Sequence, residues 1–333
     1  MTQQTPSFHQ TFDLDPRAVA AELERGLTAA HAHCSPKYFY NALGSTLFEA
    51  ITHLPEYYPT RTEAGIFAEH STEIHQCIPH QAAWLDLGAG SCQKAASLFS
   101  GTAPGVYVAV DISLDYLTDT LINLQRSHPS VKMVGVGMDF SSSLDFPPAL
   151  ANQLTQHPIF AFYPGSSLGN FTPTEALGFL KRIASVCQQG QAGSGLLIGI
   201  DLVKSAEVLE RAYDDDLGVT AAFNLNVLRH INTLLGTDFD VRDWQHKALF
   251  NVAESRIEMH LLARHAVTVR WGERSRAFQA GEAIHTENSY KWTMPSFAAL
   301  LKQAGFSHTQ CWTDPQTQYA LFWARESVSN LTS

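Results

Sequence analysis

The sequence predicts an α/β chain: a parallel sheet covered by helices on both faces, plus a second, α+β domain built from the N-terminal segment and an insertion. Three observations predict it. Five nearly unbroken apolar stretches alternate with helical ones between residues 82 and 201, the pattern of strands buried on both faces. A glycine turn, DLGAGS, closes the first of them. The alternation stops at about 203 and resumes only near 292.

Residues 16–33 read as an amphipathic helix, followed by the aromatic-rich KYFYNALGSTLFEAITHLPEYYPTRTEAGIFAEH. AAWLDL (82–87), VYVAVD (106–111), VKMVGVGMDF (131–140), PIFAFY (158–163) and GLLIGID (195–201) are the strands. A helix over 173–188 is well punctuated: Thr172 suits the N-cap, Pro173 the first helical position, and Glu175 completes a capping box. Beyond 203 come a long helical stretch (205–235) and the alternating ESRIEMHLLARH and AVTVRW. MPSFAALLKQAGF from 294 then restores the α/β pattern, ending in the strands HTQCW and YALFWA. The expected domains are 61–202 with 292–333, and 10–60 with 203–291.

Composition narrows the function. The chain has 333 residues, 45% apolar and 16% charged, enough for a sizeable core. A net charge of −10 argues against nucleic acid, whose phosphates need clustered Lys and Arg. The 15 histidines are scattered, without HExxH or a tight His/Cys cluster, so no metal site is expected. Five cysteines without CxxC read as reduced thiols of a cytoplasmic protein. No signal peptide and no membrane span are expected.

The glycine turn ends a strand and opens a helix, where backbone N–H groups can approach a ligand. Alone, G-x-G is weak evidence, with a plain strand–helix turn as the lesser reading. Its neighbours strengthen it. Asp111 ends the second strand, where a carboxylate can accept both ribose hydroxyls. Asp139 and Phe140 end the third, placing a carboxylate for an adenine amino group and a ring for its face. The fourth ends in FYPGSSLGN. A dinucleotide would want a third glycine where Gln93 stands, which favours S-adenosylmethionine over NAD. A dehydrogenase and a non-catalytic adenosine binder remain weaker alternatives.

Long segments then carry a resemblance: PKYFYNALGSTLFEAITHLPEYYPTRTEA, GSSLGNFTP, GIDLVKSAEVLERAYDDDLGVTAAFNLNVL, RIEMHLLAR, GEAIHTENSYK and CWTDP. Together they resemble the S-adenosylmethionine-dependent histidine Nα-methyltransferases of ergothioneine biosynthesis, over about 24–325. The resemblance implies a Rossmann-like class I methyltransferase domain with a substrate domain. It implies three methyl transfers to L-histidine, giving Nα,Nα,Nα-trimethylhistidine (hercynine), with S-adenosylhomocysteine as by-product and a monomeric enzyme. It implies that Tyr57, Asn170 and Tyr213 hold the amino acid's carboxylate and amine, that Glu287 and Ser289 grip the imidazole, and that Met259 lines its pocket. Tyr40 and Phe48 lie beside the reacting amine, and Gly165 contacts it through backbone. Gly88, Asp111, Asp139 and Phe140, with Lys94 and Tyr40 as lesser contacts, match the cofactor pocket. Two positions depart from the family pattern: Tyr163-Pro164 before the GSS loop, and Ser113 where an acidic residue is common. A methyltransferase of the same architecture acting on another amino acid, such as tryptophan, is the alternative; Met259 with Glu287 favours histidine.

Overall fold

The computed structural model describes residues 4–11 and 15–326. It divides into two compact units: Arg61–Leu202 with the N-terminal strand and the segment from Trp292, and Val203–Lys291 with the segment ending at Thr60. Residues 12–14 and 327–333, which the expected domains included, lie outside the described residues.

The first unit is built on an eight-stranded sheet. Its spatial order is Ser7–Gln10, Met133–Gly137, Val106–Asp111, Ala83–Leu87, Ile159–Tyr163, Gly195–Asp201, Tyr319–Arg325, His308–Thr313. All neighbours are parallel as far as Gly195–Asp201; the last two strands are antiparallel. Strand order therefore reverses between Ala83–Leu87 and Ile159–Tyr163, and ligands of open α/β sheets bind beyond the carboxyl ends at such a switch point. Every residue of those two strands is buried, because helices cover both faces. One apolar cluster includes Leu85, Val108, Phe179 and Leu301, and another Trp84, Tyr107, Phe160 and Leu321.

The helix Pro173–Gln189 carries the expected capping box: Glu175 N–H donates to Thr172 Oγ1 (3.3 Å) and Thr172 N–H to Glu175 Oε2 (2.9 Å). The Ser7–Gln10 strand was not expected. SFHQ has no apolar run; it pairs parallel with Met133–Gly137 at the sheet edge. Gly135 makes room for it, since a Cβ there would lie 2.7 Å from the Phe8 ring.

The second unit has a four-stranded sheet in the order Ala32–His33, Ala283–Tyr290, Arg256–Ala263, Trp244–Asn251. Val267–Trp271 and Arg274–Phe278 form a separate hairpin. Helices Pro16–Thr28, Ala42–Thr52, Ala206–Tyr213 and Val219–Leu235 belong to this unit, and its core gathers Leu27, Phe39, Phe223, Val227, Trp244 and Leu261. Two sequence expectations change. The helix expected over 16–33 ends at Thr28, and Ala32–His33 becomes a strand parallel to Ala283–Tyr290; the chain folds back so tightly that a Cβ on Gly26 would strike the His33 carbonyl. The single helix expected over 205–235 is two. Asp215 accepts from Val219 N–H (3.0 Å) and Thr220 N–H (2.7 Å), capping the second helix, and Gly218 takes a φ of +74°. No helix among the described residues is long and apolar enough to cross a membrane.

Candidate active site

In the first unit the glycine turn is held open by backbone. Gly88 (φ +70°) and Ala89 both donate to the Val110 carbonyl, at 2.9 and 3.0 Å. Gly90 N–H donates to Asp111 Oδ2 (3.0 Å) and Ser113 N–H to Oδ1 (3.1 Å). Burial pushes the Asp111 carboxyl up, and those backbone donors pull it down. Each carboxylate oxygen keeps acceptor capacity, as a ribose diol requires. A Cβ on Gly88 would sit 3.5 Å from the Phe140 ring, so the glycine turn and that ring are neighbours. Tyr163 supports Phe140 edge-on at 6.0 Å between centroids, which gives the departure at Tyr163 a role: it is a buried wall, not a ligand contact. Asp139 spends one oxygen on a turn with Ser141. The glycine turn, the Phe140 ring and the Asp111 acceptors fit an adenosine moiety.

The loop after the fourth strand is tied down by a residue the sequence reading missed. Glu63, on the helix Tyr58–Glu69, is 1% exposed. Its Oε1 accepts from Gly165 N–H (2.8 Å) and Tyr319 hydroxyl (2.7 Å), and its Oε2 from Lys94 Nζ (2.5 Å). Lys94 Nζ lies 3.3 Å from where a Gly165 Cβ would be, and Gly165 has a φ of +79°. The carboxylate also dictates Gly199, where a side chain would run into Glu63 and the Tyr319 hydroxyl. Ser166 Oγ accepts from Asp201 N–H (2.9 Å), and Asn170 ends the short 3-10 turn Ser167–Asn170. Sequence spacing offered no signal for Glu63, because its partners come from three distant segments.

The second unit brings together the remaining expected residues. Glu287 and Ser289 are two apart on one strand and so share a face. Met259 is the cross-strand partner of Glu287 and shares that face with it. A register shift between His285 and Glu287 interrupts the pairing just before this row. Burial pushes the Glu287 carboxyl up to about 8, against the pull of Lys291. Tyr40, Phe48, Tyr57 and Tyr213 form a chain of edge-on rings, with centroids 5.9, 6.3 and 6.2 Å apart, and Phe223 packs against Tyr40 and Phe48. The Tyr213 hydroxyl donates to Ser289 Oγ at 2.7 Å. Of the expected substrate contacts, Gly165 and Asn170 lie on the first unit and the others on the second.

A family profile described as "Histidine-specific methyltransferase, SAM-dependent" matches residues 19–326. The chain is 38% identical over 315 residues to the histidine N-alpha-methyltransferase of Mycolicibacterium smegmatis, covering 93% of this chain and 95% of that one. It is 38% identical over 319 residues to the enzyme of that name from Mycobacterium tuberculosis, covering 94% and 96%. Ergothioneine biosynthesis protein 1 of Neurospora crassa is 32% identical over 282 residues, covering 82% of this chain and 31% of that protein. The chain belongs to the histidine-specific, S-adenosylmethionine-dependent methyltransferases.

Two further features of this methyltransferase escaped the sequence reading. Lys291 is 3% exposed, and its Nζ reaches Ser289 Oγ (2.8 Å) and Tyr213 Oη (3.2 Å). The alternation E-x-S-x-K was the available signal, since residues 287, 289 and 291 share one side of an extended chain. The other is buried His246. Asn224 Nδ2, which also donates to the His260 carbonyl, lies 2.8 Å from its Nδ1. Nδ1 is therefore an acceptor, and Nε2–H donates to the Tyr213 carbonyl at 2.9 Å. Burial holds this imidazole below its ordinary pKa, so the methyltransferase positions Tyr213 with a neutral ring. Glu258, His260 and His285 place their ligand atoms within 4.8 Å of one another. Arg256, Asn251 and His260 already occupy the Glu258 oxygens, and the His260 and His285 rings stack at 4.7 Å.

Proposed function

We propose that the protein transfers three methyl groups in succession to the α-amine of L-histidine, giving Nα,Nα,Nα-trimethylhistidine, the first step of ergothioneine biosynthesis. The observation that carries this reading is the row Glu287–Ser289 with Met259 across from Glu287. A carboxylate and a hydroxyl two residues apart on one face suit the two ring nitrogens of an imidazole, and the thioether supplies an apolar wall. The names and shared sequence of the bacterial relatives support the same substrate.

S-adenosylmethionine, when bound, supplies an electrophilic methyl group on a sulfonium. The chain's own contribution is then alignment. Asp111 and Phe140 orient the adenosine. Tyr57, Tyr213 and Asn170 orient the amino acid's polar end. The amine loses one proton for each methyl gained, and the Tyr40 hydroxyl is the group beside it suited to relay that proton. The product keeps its charge but has no N–H left, so it can no longer be held by hydrogen bonds. Aromatic faces such as Tyr40 and Phe48 stabilise such a cation by roughly 0.5–2 kcal/mol each.

The test is mass spectrometry after incubation with S-adenosylmethionine and all the common amino acids together. Histidine alone should gain the mass of three CH2 units. Methylation of another amino acid with histidine untouched would refute the reading.

A further inference from the structure

We infer that Thr286, the residue passed over in the pairing of Ala283–Tyr290, is a positioning residue for the imidazole: bonded to Asn224, it fixes the bulge that turns Glu287 and Ser289 to the face they share with Met259. The inference rests on the histidine reading above. Its basis is a change of parity along the strand. Ile284 lies opposite Leu261, His285 opposite His260, Glu287 opposite Met259 and Ser289 opposite Ile257, so the pairing skips Thr286. Leu261, Met259 and Ile257 are two apart and share one face, and directly opposed residues share a face. Ile284, Glu287 and Ser289 therefore point the same way, although 284 and 287 differ by an odd number.

A regular strand cannot do this. With Ile284 in the core, strict alternation would send residues 286, 288 and 290 inward and turn Glu287 and Ser289 to the opposite face. One inserted residue switches the alternation and re-aims every side chain beyond it. The competing arrangement is a slip of one residue, which flips those side chains back. Continuing the pairing of Ile284 with Leu261 without a break would set Glu287 opposite Glu258, and the imidazole would lose its carboxylate and its hydroxyl together.

Thr286 and Asn224 hold the extra residue in place. Both are buried, at 1% and 0% exposure. Asn224, on the helix Val219–Leu235, donates from Nδ2 to the His260 carbonyl (3.1 Å), and the same nitrogen lies 2.8 Å from His246 Nδ1. Its Oδ1 is therefore the atom turned to Thr286. The Thr286 hydroxyl lies 2.8 Å from that oxygen and 3.0 Å from the Met259 carbonyl. Both neighbours are acceptors, so the hydroxyl serves here as a donor. Across the bulge, the His285 ring reaches the Glu287 carbonyl at 3.0 Å. Asn224 thus ties the facing strand, at His260, and the bulge, at Thr286, to one helix. Thr286 acts on the substrate through Glu287 and Ser289.

The experiment is steady-state kinetics of S-adenosylhomocysteine formation from histidine by the full-length protein. Thr286→Val keeps the volume but offers no proton to the two acceptors, whereas Thr286→Ser keeps the proton. The Val variant should raise KM for histidine by about tenfold or more, as expected for a buried donor lost beside the residues that grip the ring. Its affinity for S-adenosylhomocysteine should stay within about twofold of wild type, since Gly88, Asp111, Asp139 and Phe140 lie on the first unit. The Ser variant should keep KM within about threefold of wild type. In a Glu287→Gln background the Val substitution should cost under about threefold, because the two residues act in series. A wild-type KM in Thr286→Val, equal losses in the Val and Ser variants, or the full loss persisting beside Glu287→Gln would each overturn the inference. If the Val variant does not fold, Thr286→Ala against Thr286→Ser makes the same comparison, with the same results expected and excluded. A wild type that methylates another amino acid and not histidine would instead refute the histidine reading, and this inference with it.

Discussion

Replacing Glu63 by Gln isolates what its charge does. Oε1 of Glu63 accepts from Gly165 N–H and the Tyr319 hydroxyl, and Oε2 from Lys94. Gln keeps an oxygen for the first pair but puts an NH2 where Lys94 donates, so two donors face each other and Lys94 must swing away. The two retained bonds fall from charge-assisted to neutral, a loss of about 1 kcal/mol each. The Lys94 side chain is 41% exposed and rehydrates on release, so its ion pair adds only about 0–1 kcal/mol. The sum is about 2–3 kcal/mol, or a melting shift of roughly 3–4 °C for a chain of 333 residues. Because Lys94, an expected cofactor contact, is the released group, affinity for S-adenosylmethionine should fall in the same variant. Differential scanning fluorimetry and calorimetric titration read both quantities. A Gln variant that melts within about 1 °C of wild type and binds the cofactor equally well would show that the Glu63 charge does not hold the loop.

Asp111→Ala removes two charge-assisted acceptors for the ribose, about 3 kcal/mol in all, and should weaken S-adenosylmethionine binding by about 100-fold in titration calorimetry. Glu287 has a folded pKa raised to about 8. Such a group contributes stability that is fully present below its unfolded pKa, near ~4.3, and is lost as pH rises through 8. The apo protein's melting temperature should therefore decline from pH 5 to pH 8 more steeply in wild type than in Glu287→Gln. Thr172→Ala removes the N-cap of Pro173–Gln189 and should cost about 1 kcal/mol in urea unfolding while leaving cofactor affinity unchanged.

Local chemistry alone made much of the first unit legible. VYVAVD and GLLIGID became strands over the very residues read from their apolar runs, because a strand buried on both faces needs no partner to announce itself. The capping box at Thr172 and Glu175 formed for the same reason: its donors and acceptors lie within one turn. Strand content was harder to read where one face is polar. AIHTENSY and WQHKALFN became strands only by pairing with Arg256–Ala263, and SFHQ only by lying beside Gly135.

The same division runs through the candidate site. The glycine turn, Asp111 and Phe140 could be named from their positions at strand ends, since a doubly wound sheet collects its carboxyl ends along one edge. Family-like segments named Glu287 and Ser289. The tertiary structure alone decided what those groups are bonded to. Glu63 joins Lys94, Gly165 and Tyr319, which are far apart in sequence, and Lys291 reaches the hydroxyl of Tyr213, 78 residues away. Sequence patterns carry the residue types and periodicities that chemistry requires. Hydrogen-bond polarity and pKa belong to neighbours that only the fold brings within 3 Å of each other.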